Sequence, residues 1–111
     1  MKSIFVAFIS EKTKREFEEL KKGKFEDKKL YEFILRAIGD LKQNPMCGTK
    51  ISRSLWSADY IKKYNLTNLL KYNLPNTWRL IYTIETDDVK IMNFILEWFD
   101  HPEYEKKFGY N

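Results

Sequence analysis

Apolar residues recur along this chain with two different periods, and each period predicts a different element. A dense apolar run at residues 2–9 predicts a first strand. Ser10 is suited to cap a helix that runs from Glu11 to about Lys22, which Gly23 ends. That helix is mostly charged and has only a narrow apolar edge, so we expect it to pack on one side and face water on the other.

A second helix has the clearest pattern in the chain. Asp27 is suited to cap it, and Asn44-Pro45 stops it. Its apolar positions recur at helical spacing and form one continuous stripe. The stripe consists of Leu30, Phe33, Ile34, Ala37, Ile38 and Leu41. The two helices are predicted to form an antiparallel hairpin joined around Gly23.

The second half of the chain is strand-rich. Cys47–Tyr64 predicts a loop with one short helical turn that begins at Ser57. Turn signals at Pro75-Asn76 and Asp87-Asp88 then separate three strands. The strands are predicted at residues 67–74, 77–86 and 89–98. The expected fold is therefore a single α+β domain over residues 1–111, with an antiparallel sheet of about four strands packed against an N-terminal helical hairpin.

Alternation along the strands predicts where the polar side chains lie. A three-residue loop at residues 75–77 pairs Asn73 with Arg79 and puts Lys71 diagonal to Arg79, about 7–8 Å away. Lys71, Asn73 and Arg79 then line one polar patch, although the pattern fits ordinary solvent-facing residues of an antiparallel sheet equally well. The opposite face receives the apolar set: Leu70, Tyr72, Leu74, Trp78, Leu80, Tyr82 and Ile84.

Composition narrows the class of protein. The single Cys47 excludes an internal disulfide framework and favours a reducing compartment, so we expect a cytoplasmic protein. The chain has no paired cysteines, one histidine and no apolar run of membrane-spanning length, so neither a zinc site nor a membrane span is expected. No small-molecule cofactor is predicted.

Positive charge is concentrated in the middle of the chain. Residues 41–80 carry seven basic side chains and one acidic side chain. Such a field attracts nucleic acid, but it would equally attract an acidic protein or simply be a solvated surface. Candidate RNA contacts are Asn73, Lys50, Arg53, Lys62, Lys63 and Tyr110.

Four residues suit RNA cleavage through attack of the 2′-hydroxyl on the adjacent phosphate. The Arg79 guanidinium can bind two phosphate oxygens, and Lys71 can add charge or act as a base. His101 can act as acid or base, and Tyr104 can orient the hydroxyl or stack on a base. Other roles remain open, because His101 also suits a helix cap or the surface. Tyr104, Phe108 and Tyr110 also suit packing.

Two motifs resemble the RelE/ParE toxin superfamily. The run WRLIY at residues 78–82 resembles the "YRLIY" central strand, and His101-x-x-Tyr104 resembles the "H-x-x-Y" tail of that family. The resemblance implies catalytic roles for Arg79, Lys71, His101 and Tyr104. Asn73 stands where some members carry a second lysine.

The resemblance implies a toxin of a type II toxin–antitoxin system. It would be a metal-independent endoribonuclease that cleaves mRNA at the ribosome and is neutralised by a cognate antitoxin protein. Gyrase-inhibiting ParE-like members lack the His-x-x-Tyr tail, so the tail favours the nuclease. A ParE-like gyrase inhibitor and a non-catalytic RelE-like binding module remain the alternatives.

Overall fold

The computed structural model describes residues 2–109, which form an α+β globule with a five-stranded mixed sheet. Short 3₁₀ turns at residues 20–22, 45–47 and 53–55 join some of the elements. The elements are, in chain order, β1 (Ser3–Phe8), α1 (Glu11–Glu19), α2 (Phe25–Gln43), β2 (Thr49–Lys50), α3 (Ala58–Tyr64), β3 (Leu70–Asn73), β4 (Arg79–Thr86), β5 (Lys90–Phe99) and α4 (His101–Phe108).

The sheet corrects two expectations. Its strand order is β1-β5-β4-β3-β2, so there are five strands rather than about four. It is also mixed rather than antiparallel, because β1 runs parallel to β5. The long connection from β1 through both helices allows a parallel pair, which a short turn does not. β2 escaped prediction because two residues are too few to show an alternation.

Both predicted helices form, with two boundaries shifted: α1 ends at Glu19, and a 3₁₀ turn occupies residues 20–22 before Gly23. The side chain of Ser10 accepts a hydrogen bond from the Thr13 backbone N–H at 3.1 Å, as expected of an N-cap. The second helix begins at Phe25, earlier than predicted, and Asp27 lies inside its first turn. Asp27 still stabilises the helix start, since its carboxylate accepts from the Lys24 backbone N–H at 3.1 Å. Asn44 follows the last residue of α2, as expected.

One side of the sheet, here called the helix face, is covered by α1 and α2. Leu80 and Tyr82 of β4 and Ile95 of β5 are fully buried against the helices. Every residue of the predicted α2 stripe belongs to this core. The expected apolar face of β3 and β4 is therefore confirmed.

The opposite side, here called the tail face, holds a second core. Ile81 of β4 and Leu96 of β5 are buried there beneath Trp56, Tyr60 and the C-terminal helix. The segment predicted as a loop thus covers the sheet, and its helical turn forms α3 with Ser57 as the N-cap. Among residues 2–109, no helix combines the length and apolar character that crossing a bilayer requires.

The register of the central strands matches the predicted loop. Asn73 pairs with Arg79, Lys71 pairs with Ile81, and the Leu74 N–H donates to the Trp78 carbonyl at 2.9 Å. Lys71 is therefore diagonal to Arg79. An irregularity in the β4–β5 pairing lets Leu96 and Glu97 both follow the tail side, after which Trp98 returns to the helix face.

Candidate active site

Four of the predicted site residues meet at one end of the tail face. Arg79 begins β4 and pairs with Phe99, the last residue of β5. The chain then turns directly into α4, which begins at His101. This connection brings the C-terminal tail beside the first residue of β4. The group Lys71, Arg79, His101 and Tyr104 is here called the Arg79 cluster.

α4 is fixed at both ends. The Asp100 carboxylate accepts from the Glu103 backbone N–H at 3.0 Å and so caps the helix start. Tyr104 and Phe108 lie one turn apart, are 1% and 2% exposed, and have ring centroids 5.1 Å apart. These two aromatic residues attach the helix to the sheet, as the packing alternative predicted. The attachment also holds His101 at the rim of the sheet.

The Tyr104 ring carries the two cations of the cluster. The Lys71 ammonium lies 5.1 Å from the ring centroid and the Arg79 guanidinium lies 5.9 Å from it. Both are cation–π contacts, which hold positive charge over the electron-rich face of the ring. The ring is too buried to offer a surface to a nucleobase. Its contribution to the site is therefore to support the two cations.

Lys71 differs from an ordinary surface lysine. Partial burial lowers its pKa below the usual value, and the nearby Arg79 charge lowers it further. Both causes disfavour the ammonium form, so Lys71 is more readily deprotonated than a solvated lysine. A base or a proton donor benefits from that change.

His101 is held between a cation and an anion. Arg79 Nη2 donates to His101 Nδ1 at 3.5 Å, and His101 Nε2 contacts the Glu105 carboxylate on the next turn of α4. An arginine can only donate, so this contact is a hydrogen bond in the tautomer whose Nδ1 accepts and whose Nε2 carries the proton. In this arrangement both ring nitrogens are engaged. His101 therefore contacts Arg79 through one ring nitrogen and Glu105 through the other.

Glu105 is a site residue that the sequence reasoning missed. It touches His101 because the two are four residues apart on a helix. The tail was not predicted to be helical, so this spacing was not considered. The signal was present: Asp100 can cap a helix, and Pro102 follows in its first turn.

The remaining predicted RNA contacts lie outside the cluster, except for Asn73. Asn73 is exposed and opposite Arg79. Lys50 pairs with Leu70, so it leaves the sheet on the face opposite Lys71. The other candidates are scattered: Arg53 stacks on Trp56, Lys62 is exposed on α3, Lys63 stacks on Tyr64, and Tyr110 falls outside the described residues.

The backbone at Gly48 lies very close to β3, the strand that carries Lys71. A Cβ atom on Gly48 would lie 2.6 Å from the Lys71 carbonyl oxygen and 2.5 Å from the Tyr82 hydroxyl. The Gly48 N–H donates to that hydroxyl at 3.1 Å, and the hydroxyl donates to the Pro45 carbonyl at 2.7 Å. Only glycine allows residue 48 to approach β3 and Tyr82 so closely. The segment at residues 45–48 is thereby held against β3 and β4.

Within residues 2–109, no three histidine, cysteine, aspartate or glutamate side chains are grouped so as to hold a metal ion. The cluster can instead bind an anion with Arg79 and Lys71 and exchange a proton through His101 or Lys71. Comparison of the chain with family models, curated proteins and solved structures found no match.

Proposed function

We propose that the protein is a metal-independent endoribonuclease of the RelE-like toxin type, with a RelE-like arrangement of sheet and helices. The observation that carries the proposal is the convergence of Arg79 and Lys71 over the Tyr104 ring, with His101 in contact with Arg79. Two cations beside a titratable imidazole suit a phosphodiester whose charge grows during cleavage. The resemblance of the WRLIY strand and the His-x-x-Tyr tail to that family supports the same conclusion.

The contacts suggest how the reaction proceeds. A phosphate group draws the Arg79 guanidinium away from His101, because a charged, bidentate acceptor is stronger than an imidazole nitrogen. His101 Nδ1 is then released to accept the proton of the 2′-hydroxyl, while Glu105 keeps the ring in place through Nε2. Lys71, with its lowered pKa, is suited to supply the proton that the leaving 5′-oxygen needs.

The biological setting is part of the same proposal. The substrate is mRNA positioned on the ribosome, and a cognate antitoxin protein blocks the reaction. An acidic segment that folds on binding suits the positive charge of residues 41–80. Such a segment would cover the Arg79 cluster or displace α4.

A second candidate is a binding module without catalysis. His101 is engaged at both ring nitrogens, and Asn73 stands opposite Arg79 where a second cation would assist the reaction. In that case Arg79 and Lys71 would bind a nucleic-acid backbone without breaking it. The two candidates differ only in whether His101 is released when a phosphate arrives.

The test is cleavage of mRNA on programmed ribosomes, with and without a chelator. Arg79→Ala should reduce the cleavage rate by about 10²–10³-fold, because one preorganised donor to the developing charge is lost. Cleavage by the unaltered protein should persist in the chelator. The matched control is Arg15→Ala, which removes an exposed arginine from α1, far along the chain from the cluster.

Equal cleavage by Arg79→Ala and the unaltered protein contradicts the assigned site. Full RNA binding with no cleavage by the unaltered protein favours the non-catalytic module instead. His101→Ala separates the roles further, since it should reduce the rate by about 10²-fold if His101 transfers the proton.

A further inference from the structure

A groove of about 420 Å³ lies where α2 begins and the β3–β4 turn meets it. Its aromatic walls are Phe25 and Phe33 of α2 and Trp78 beside the turn, and it is also lined by one acidic, one basic, one apolar and one amide side chain: Glu26, Lys29, Leu30 and Asn76. This surface is here called the aromatic groove. It is distinct from the Arg79 cluster, because Trp78 packs with the helix face while the cluster lies on the tail face.

Phe25 is exposed to a degree that packing does not explain. Its side chain is 69% exposed, although it begins the helix whose apolar stripe is otherwise buried. The first residue of that stripe is Leu30, so Phe25 lies outside the core pattern. A large ring held in water beside two further aromatic residues provides a surface for stacking.

The positive charge around the groove favours an anionic ligand. Lys29 lies with its ammonium 5.5 Å from the centroid of the Phe25 ring. Glu26 lines the groove as well and offsets the charge of Lys29 there, so the positive field comes from the surrounding segment. The segment from residue 21 to residue 29 holds five lysines and two acidic residues: Lys21, Lys22, Lys24, Glu26, Asp27, Lys28 and Lys29. Aromatic surface among cations is the composition that binds single-stranded nucleic acid.

The turn beside the groove is held in a costly conformation. Asn76 has φ +60° and Thr77 has φ +64°. A β-branched residue such as Thr77 rarely adopts positive φ, so the conformation is strained. The turn nevertheless keeps Asn76 at the wall of the groove. Its amide side chain can both donate to and accept from a base edge.

The groove and the Arg79 cluster are neighbours across one turn. Trp78 and Arg79 are consecutive, and the Trp78 carbonyl accepts from Arg79 Nη1 at 3.2 Å. Because the groove and the cluster lie on opposite faces of the sheet, a nucleic-acid strand that contacts both must pass around the turn at residues 75–77. We propose that the aromatic groove binds an unpaired nucleobase that flanks the scissile phosphate, by stacking on Phe25 and Trp78. This inference rests on the proposed function for the position of the phosphate.

The test measures binding rather than cleavage, so the two proposals fail separately. The probe is a labelled oligoadenylate with blocked 2′-hydroxyls, and its partner probe is an abasic sugar–phosphate chain of equal length. Fluorescence anisotropy is measured for the unaltered protein, for Phe25→Ala and for Phe25→Tyr. The matched control is Leu35→Ala, which removes an apolar side chain of α2 that is 46% exposed and does not line the groove.

Phe25→Ala should weaken oligoadenylate binding by about 5- to 100-fold, because stacking on an aromatic residue is worth about 1–3 kcal/mol per base. Phe25→Tyr and Leu35→Ala should bind as the unaltered protein does. The abasic chain should bind the unaltered protein and Phe25→Ala equally. Arg79→Ala should weaken both probes while keeping the preference for the base-containing chain.

Three outcomes overturn the inference. One is equal oligoadenylate binding by Phe25→Ala and the unaltered protein. Another is no binding of either probe by the unaltered protein. The third is a Phe25→Ala protein that keeps RNA binding but loses a protein partner, which would assign the groove to that partner. Cleavage of mRNA on programmed ribosomes is measured separately, so failure of the groove and failure of the nuclease are distinguishable.

Discussion

The two faces of the sheet are built by different means. The helix face is covered by α2, a helix of 19 residues with one continuous apolar stripe. The tail face is covered by α3 and α4, which have seven and eight residues, and by the irregular segment between β2 and α3. Short helices gain little from their own hydrogen bonds and depend on their side-chain anchors. The face with the thinner cover is the one that holds the Arg79 cluster.

Because of this difference, the main core lies on the helix face and the candidate site lies on the tail face. The helix face supplies a continuous core around residues that are fully buried, such as Ile34 and Leu80. The tail face supplies two aromatic anchors in α4 and leaves the charged residues at its rim. We therefore expect substitutions on the helix face to unfold the protein and substitutions on the tail face to release α4.

The largest effect is expected from Leu41→Ala on the helix face. Leu41 is 0% exposed and ends the α2 stripe, so its truncation leaves a cavity in the main core. The free energy of unfolding should fall by about 2–5 kcal/mol. Denaturant titration measures it, with Leu35→Ala on the exposed side of the same helix as the control, expected within about 0.5 kcal/mol of the unaltered protein. Equal losses in the two variants would contradict the assignment of the stripe.

A smaller global effect is expected from Phe108→Ala on the tail face. The variant can release α4 instead of unfolding, so the global loss should stay below about 3 kcal/mol, the low end for a buried phenylalanine. Amide hydrogen exchange should show lost protection in α4 and retained protection in β4 and β5. RNA cleavage should fall because His101 no longer lies beside Arg79. Uniform loss of protection across the sheet would show that the two faces do not open separately.

The smallest expected effect is a loss of folding stability at alkaline pH, caused by two tyrosines on the helix face. Burial, reinforced by the hydrogen bond to Asp40, raises the pKa of Tyr72 from 10.0 to about 12. Burial also raises the pKa of Tyr82 to about 12. Because the folded state favours the neutral phenols, their contribution to stability is complete below pH 10.0 and is lost as the pH rises toward about 12.

Unfolding free energies measured from pH 9 to pH 12, on either side of the usual tyrosine pKa of about 10, should show this decline. Tyr72→Phe should make the decline shallower, since one of the two groups no longer titrates. An unchanged slope in Tyr72→Phe would contradict the contribution of Tyr72 to the decline.

Much of the fold could be predicted from the spacing of apolar residues, because that spacing shows which side of a helix or strand is buried. The α2 stripe and the alternation of β3 and β4 each faced the helix core, and the register that pairs Asn73 with Arg79 followed from the length of the turn. The parallel pairing of β1 did not follow. A strand pattern shows which face is buried but not which neighbour supplies the hydrogen bonds.

The candidate site was predicted unevenly for a similar reason. Lys71 and Arg79 were brought together by strand register, which alternation can specify. The contact of Glu105 with His101 depends on α4, a helix of eight residues that begins directly after a strand. So short a helix has no apolar stripe from which it could be predicted. Lys62 and Lys63 were selected because they are cations interleaved with tyrosines, and that pattern does not fix their position relative to Arg79.

The pairing of β1 with β5 joins the first strand of the chain to the last. Ser3 lies opposite Lys90 and Phe8 lies opposite Ile95. During synthesis, at about 5–20 residues per second, β1 waits on the order of ten seconds for its partner to emerge. β1 contains no charged residue. While it is unpaired, this apolar strand is exposed and can cause the nascent chain to aggregate. β5 lies between β1 and β4, so a chain interrupted before β5 can join β1 to no neighbour in the sheet and lacks His101 and Tyr104 of the Arg79 cluster.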